Sequence, residues 1–489
     1  MCGERGKVGT SRADWMVLIV LAAAKLALLL WMGPLRQPDS TSYEAFASMI
    51  LAGGDWAQAV DLHHANPATL RMIGYPVIIA ASQALAGTGW AWLLAGFQSA
   101  LGLLAALLIL RAGRAATGSP ALALIAAGCY VVSPALQLDL TVLTDALYAH
   151  LLAILTALLV LWHAEDRAPT LPRLLTAGAL LAIALLIRSA TMPLGLLFLV
   201  PVAVWVRTRG LIRGAGLLAV FVLPLLATNG AYQVWNKSRS GEAFLATDTR
   251  FALTQALVEV QSQGVPVFTG NTVLDTSARA VFAVQGNPVK DTVVPEMYAI
   301  SNALIDGAHL SEVEATRLIK ARFFEVVLAH PGTAVFGKLL REVTSKAMFT
   351  PFDPVRVLRR LLECRDIELF DAKHDFLKRP LAEWRPGDVV WTVLEGLSRL
   401  GALMLVAGFL AAAPMACRRA LSGDGAAAFR LALVVITAGF IGAVALIHLE
   451  ERYIFGMMPA LLFAALPTLS ELARRGSAGG APQDAGALE

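Results

Sequence analysis

The chain has 489 residues, of which 57% are apolar and only 16% charged, with a mean hydropathy of +0.64. A composition that apolar exceeds what the surface of a soluble globular protein tolerates and describes a polytopic integral membrane protein. The formal net charge of +4 is small for this length and argues against nucleic acid as a partner, and the four cysteines, Cys2, Cys129, Cys364 and Cys417, imply no disulfide framework.

A bilayer core of roughly 30 Å takes about 20 apolar residues per helix. The chain carries about ten such runs, at 15–31, 90–110, 121–132, 141–162, 174–187, 192–206, 211–232, 389–411, 429–447 and 453–472. The first is too long, and too poorly followed by a cleavage site, for a removable signal, so it is expected to remain as a span. Residues 75–86 read as a half-length or re-entrant helix. Basic residues mark every second loop: Arg5, Lys7 and Arg12, then Arg111 and Arg114, Arg167 and Arg173, Arg207, Arg209 and Arg213, Arg418 and Arg419, and Arg474 and Arg475. The positive-inside rule then puts both termini in the cytoplasm and the stretches 37–74, 236–388 and 448–452 on the outer, periplasmic side of a plasma (inner) membrane. The expected organisation is a transmembrane module over 1–235 with a functional first outer loop, an outer helical segment over 236–388, further spans over 389–476 and a polar, disordered tail from 477 onward.

Within the outer segment, residues 311–329 have helical periodicity, with Ser311 and Glu314 in capping-box spacing. From Pro331, Phe336, Leu339, Leu340, Val343 and Ala347 share one face, with Lys338, Arg341, Glu342, Ser345 and Lys346 on the other. Two amphipathic helices in tandem suggest a pair lying flat in the interface with cations toward lipid phosphates; an ordinary small helical domain packing these faces internally is the alternative. Asn236-Lys237-Ser238 is a formal glycosylation sequon.

Two carboxylates, Asp39 and Asp145, stand just outside long apolar helices at the start of outer loops, where charge is kept if it pairs, binds a cation or takes a proton. Asp145 has a second reading as a first-turn helix carboxylate beside Thr144. Arg188, between the fifth and sixth spans, could ligate a phosphate or snorkel, and the last outer loop gathers His448, Glu450, Glu451 and Arg452. Asp61, His63 and His64 have metal-ligand residue types but read better as a solvated loop.

The first outer loop reads PDSTSYEAFASMILAGGDW over 38–56, followed by RMIGYP over 71–76. Three further stretches accompany it: LTDALY over 143–148, AHPGTAVFGKLLREV over 329–343 and EERYIFGMMPALL. Together, in this order and topology, they resemble the polyprenyl-phosphate-dependent glycosyltransferases of the GT-C fold, family 39, the group of the protein O-mannosyltransferases and lipid A aminoarabinose transferases. The resemblance implies an all-helical membrane enzyme taking a sugar from a polyprenyl-phosphate donor, with Asp39 and Arg71 in the acidic and basic roles of the first loop. It further implies that Asp145 orients the base or the acceptor, that Arg452 of the Arg-Tyr pair reaches the donor phosphate, and that Tyr43 and Tyr75 of the loop motifs belong to the donor site. Ser40 stands where a second acidic residue is common in that family, which puts a divalent metal at the first loop in doubt without excluding one.

Chemistry supports the same two residues independently. Transfer to a hydroxyl needs a base as C1 becomes cation-like, a task for Asp39, and a leaving phosphate needs positive charge, for which the bidentate guanidinium of Arg71 is suited. The sequence has no nucleotide-binding glycine loop, so a lipid-linked donor is expected. A lipid or glycolipid transporter is the rival reading, since intramembrane charges and broken helices also build translocation sites, but no paired halves of an inverted repeat are visible. The sugar, acceptor and oligomeric state are not encoded in any motif.

Overall fold

The computed structural model describes residues 12–133, 135–286, 293–349, 351–352, 354–355, 357–358, 361, 379–447 and 451–478. Among them the chain is helical throughout, with one isolated backbone bridge between Leu35 and Thr141. Eight helical stretches are long and apolar enough to cross a membrane: Trp15–Met32, Gly74–Thr117, Thr144–Ala164, Thr191–Arg209, Leu211–Ser240, Pro386–Leu421, Gly425–Ile447 and Arg452–Arg475. The shorter apolar helices Pro120–Val131 and Leu171–Ile187 stand where two of the ten runs, 121–132 and 174–187, were expected to span. Pro120 opens its helix at N1, where its missing N–H costs nothing, and the Ser119 hydroxyl accepts from the Leu122 amide. The polar residues His448 and Glu450 of the last outer loop, together with Cys2 and Cys364, lie outside the described residues.

The stretch Gly74–Thr117 comprises two helices, Gly74–Ala86 and Trp90–Thr117. They fold back on one another, since the Tyr75 hydroxyl donates to Gln98 at 3.0 Å, whereas 23 residues of straight helix would separate them by roughly 34 Å. The half-length helix expected over 75–86 is thus one arm of a hairpin. Its start requires glycine: a Cβ on Gly74 would stand 2.7 Å from the Leu186 carbonyl oxygen.

Thr144–Ala164 runs through the middle of the bundle, buried along nearly its whole length, while Trp15–Met32 and Leu211–Ser240 lie at the periphery. The outward side chains there are Met16, Ile19, Val20, Leu30, Leu223 and Val234, as expected of surfaces that face acyl chains. Inside the bundle Lys25 of the first span meets the Asp139 carboxylate, which also contacts His150 Nε2 at 2.6 Å, while the His150 Nδ1 lies 2.7 Å from the Tyr130 hydroxyl. Gly102 makes the room for this cluster, because a Cβ there would fall 2.9 Å from the His150 ring. Charges this deep persist when each has its partner.

The segment expected on the outer side, 236–388, forms a small helical unit with its own core among its described residues, built from Leu253, Leu257, Phe268, Phe282, Ile300, Ile319 and Phe323 among others. The capping box at Ser311 and Glu314 is present. The helix Glu312–Ala329, however, turns Val313, Ala315, Ile319, Phe323 and Val326 into the protein, so this face packs internally rather than against lipid. At Pro331 the path bends by 101°. The expected lipid-facing cation Lys338 is fully buried, its ammonium 2.8 Å from Glu259 and donating at 2.6 Å to the Ile447 carbonyl at the end of a span. Phe324, Leu328, Phe336 and Leu340 stay exposed across the bend.

Replacing Lys25 by methionine should cost about 3–5 kcal/mol, because Asp139 is left as a buried charge short of its cation. Thermal unfolding of the purified chain in detergent would show it, and a melting temperature equal to wild type would contradict a stabilising role for the pair.

Candidate active site

The loop entering from the first span is strapped to the segment before the Thr144–Ala164 helix. Leu35 donates its amide to Leu140 O at 2.7 Å and accepts from Val142 N at 2.9 Å, and the Ser40 hydroxyl donates to Val142 O at 2.8 Å. Gln98 holds the other side of that segment by donating to the carbonyls of Asp139 and Thr141. Asp39 precedes the helix Ser40–Ala52 but makes no capping bond with its side chain. Its carboxylate faces arginines instead.

Arg71 leaves the short helix Pro67–Leu70 in extended backbone and spreads its guanidinium over the start of Ser40–Ala52. Its Nη2 lies 3.0 Å from Asp39 Oδ1, its Nε donates to Ser42 Oγ at 2.9 Å and its Nη1 to the Tyr43 hydroxyl at 3.2 Å. The cation also sits 4.5 Å from the Tyr43 ring centre. On the other side Arg188 Nη1 bonds Asp145 Oδ1 at 2.6 Å, with its charge over the Tyr453 ring at 4.3 Å. Arg452 joins the halves, 3.8 Å from Asp39 Oδ2 and 3.7 Å from Asp145 Oδ2. Asp39, Asp145, Arg71, Arg188 and Arg452, scattered over more than 400 residues of sequence, therefore form one alternating network. Asp145 also occupies the first turn of its helix, so pairing and helix-dipole stabilisation coincide there. The Asp39 side chain is 36% exposed, against 14% for Arg71 and 4% for Asp145, so the network opens toward solvent on the Asp39 side.

Tyr43 and Tyr75 are brought together as well, edge to face at 5.2 Å, but Tyr75 is fully buried behind Tyr43 and spends its hydroxyl on Gln98. Tyr43 touches Arg71 directly and stands between Tyr75 and the charges.

The sequence reading missed a third carboxylate. Asp248, just before the helix Thr249–Gln261, accepts from the Ser189 hydroxyl at 3.4 Å and feels Arg71, Arg188 and Arg250. Burial raises its proton affinity above that of an ordinary aspartate, outweighing those three cations. Only its place at a helix start beside Thr247 and Arg250 could have marked it in the sequence. The same corner binds the outer segment to the first loop. Buried Arg250 pairs with Glu312 at 2.8 Å, Glu312 also accepts from Thr69 Oγ1, and Thr247 N donates to Thr69 O at 3.1 Å. Arg239 donates to the carbonyls of Trp56 and Ala68, so the loop is clamped from two sides. Asn236 of the formal sequon is fully buried, its amide donating to Phe244 O and Leu245 O, which leaves no accessible nitrogen for a glycan.

Asp61, His63 and His64 are exposed, with Asp61 accepting from the His63 amide in a local turn. Among the described residues no three His, Cys, Asp or Glu side chains converge as a metal-ligand set, and the site carboxylates are engaged by guanidinium groups. The arrangement is suited to an anion, a phosphate above all, held by three guanidinium groups beside a solvent-facing carboxylate.

Fold and site together define an all-helical, multi-pass membrane protein with a clustered Arg/Asp site at one end of its bundle. The sequence matches no family model and no curated protein. Among solved structures the chain is similar to the oligosaccharyltransferase of Archaeoglobus fulgidus in its apo form, at 12% identity and a TM-score of 0.46 over 97% of this chain and 52% of that one. It is also similar to ArnT from Cupriavidus metallidurans bound to undecaprenyl phosphate, at 13% identity and a TM-score of 0.36 over 96% of this chain and 79% of that one. The chain thus spans about half the length of the oligosaccharyltransferase. Both are GT-C glycosyltransferases.

Asp248 also sets a pH dependence. Its folded form holds a proton more tightly than the unfolded chain does, so the stability it contributes is complete below the ordinary aspartate value and is lost as pH rises through the raised one. Asp248→Asn, which mimics the protonated carboxyl, should flatten the stability curve from the ordinary aspartate range upward. Parallel melting curves for variant and wild type over that window would refute the assignment.

Proposed function

We propose that this protein is a glycosyltransferase of the GT-C type that moves a monosaccharide from a polyprenyl-phosphate donor to an acceptor hydroxyl at the outer face of the membrane, with inversion at C1. The observation that carries the reading is the single network of Asp39, Asp145, Arg71, Arg188 and Arg452, in which cations exceed anions beside an open carboxylate. Such a surplus suits the phosphate that departs from the sugar.

In this scheme the acceptor oxygen attacks C1 while the bond from C1 to the phosphate oxygen breaks, and the hydroxyl proton passes to Asp39. Arg71 bonds Asp39 Oδ1 and so occupies one of the two oxygens that could take the proton. An arriving donor phosphate, a diester with one negative charge, competes for that guanidinium because it offers the same fork geometry, and it gains a second charge as it departs from C1. Arg71 then turns to the phosphate and the Asp39 oxygen it held is freed for the acceptor. The site would arm itself on donor binding. Asp145 keeps Arg188 and Arg452 in place from beneath, and the two arginines share the phosphate charge as it develops. The buried Tyr75 acts through Tyr43, whose hydroxyl and ring guide Arg71.

Purified chain in proteoliposomes with a radiolabelled polyprenyl-phosphate sugar tests this directly. Asp39→Asn should lower transfer by about 10²–10⁴-fold with donor affinity nearly unchanged. Arg71→Gln should lower turnover and weaken donor binding together. Near-wild-type turnover of the Asp39 variant would remove it from the base role, and movement of intact lipid across the bilayer without a covalent product would favour a transporter.

A further inference from the structure

At the end of the bundle opposite Asp39 lies a second cluster of charge that the proposed reaction does not use. Arg474 and Arg475 follow Arg452 by 22 and 23 residues of helical path, which separates them from the first site by roughly 30 Å. They line a cleft of about 530 Å³ together with Arg419, Arg430 and Glu471. Three different spans, Pro386–Leu421, Gly425–Ile447 and Arg452–Arg475, supply these arginines. Among the described residues Glu471 is the one acidic residue lining the cleft, and a single oxygen of it, Oε1, is shared by Arg419 and, at 2.6 Å, by Arg475. Arg474 is directed to Ser470 by bonds of 3.3 Å to its hydroxyl and carbonyl. For Arg430 no carboxylate lies within ion-pair distance among the described residues. The nearby carboxylate of Asp424 accepts from the amides of Ala426 and Ala427 as a helix cap.

Among the described residues, Arg419, Arg430 and Arg475 stand against the single carboxylate of Glu471, which leaves a surplus of positive charge in a concave site where spans emerge from the apolar layer. Like charges from three helices would repel one another across this cleft without an added anion. Leu122 and Pro467 give the same cleft an apolar wall. We propose that this cleft binds a phosphate-bearing anion, with the headgroup of an anionic membrane phospholipid as its source: the arginines take the phosphate oxygens and the apolar wall takes the start of an acyl chain. The site holds whether or not the opposite end transfers sugar, since binding here involves none of its residues.

Native mass spectrometry of the full chain, released from detergent and titrated with tetraoleoyl cardiolipin, dioleoyl phosphatidylglycerol or dioleoyl phosphatidylcholine, tests it. The two anionic lipids should be retained in preference to the zwitterionic one. Arg430→Gln and Arg474→Gln should each weaken retention roughly fivefold. Glu471→Gln should strengthen it, a gain that a poorly folded variant cannot mimic. Inorganic diphosphate, added in a separate arm, should displace the lipid; stabilisation by diphosphate without any lipid preference would keep the anion site and assign it to a soluble phosphate. Equal retention of all three lipids with no effect of diphosphate, or retention unchanged in all three variants, would overturn the proposal.

Discussion

A guanidinium beside an apolar bundle must find a negative partner, and this requirement organises the Asp39 end of the molecule. Arg71, Asp39, Arg452, Asp145 and Arg188 alternate in sign, so that no charge in the series faces a like charge first. Four separate regions supply them: the first outer loop, the start of a central helix, the junction after Ile187, and the entry to the last span. Their convergence depends on close backbone approach, above all at Gly74, where the hairpin meets the end of the Leu171–Ile187 helix with no space for a side chain. The network is therefore as much a consequence of packing as a candidate for chemistry.

Two further charged nodes brace it. Lys25, Asp139 and His150 fix the segment whose carbonyls hold Ser40 on one side and which leads into Asp145 on the other, so one short stretch positions both carboxylates. Arg250 and Glu312 close the outer segment onto Thr69, two residues before Arg71. In each case a buried pair joins elements far apart in the chain, and hydrogen bonds to the carboxylates, from Thr69 and Thr247 to Glu312 and with His150 at Asp139, offset part of the cost of desolvating it.

Hydropathy found the eight stretches long and apolar enough to cross a membrane, because a bilayer asks only for length and apolar content; the other two of the ten expected spans, over 121–132 and 174–187, are shorter apolar helices. Asp39, Asp145, Arg71, Arg188 and Arg452 were legible because a charge at the edge of an apolar run is conspicuous. Lys25 was not singled out, although it lies inside a span, since its partner is 114 residues away and no periodicity links them. Asp248 and Glu312 escaped notice for the opposite reason: in a polar segment a carboxylate is unremarked until the fold buries it. Lys338 shows the limit of amphipathic patterns, because a cation on the polar face of a helix turned out to be directed at Glu259 and a carbonyl at the end of a span. Periodicity reveals which residues share a face but not what the face meets.

The pairing of Lys25 with Asp139 also bears on how the protein is made. The first span emerges during synthesis with its lysine uncompensated, and a central lysine opposes insertion by about 2.5–3.5 kcal/mol on translocon scales. Six α-helices, from Ser40–Ala52 through Ala135–Leu138, must be synthesised before the matching carboxylate exists. The first helix is therefore held at first by its apolar length alone and takes its final seat late, which makes assembly of this half of the bundle a concerted event timed by the arrival of one aspartate.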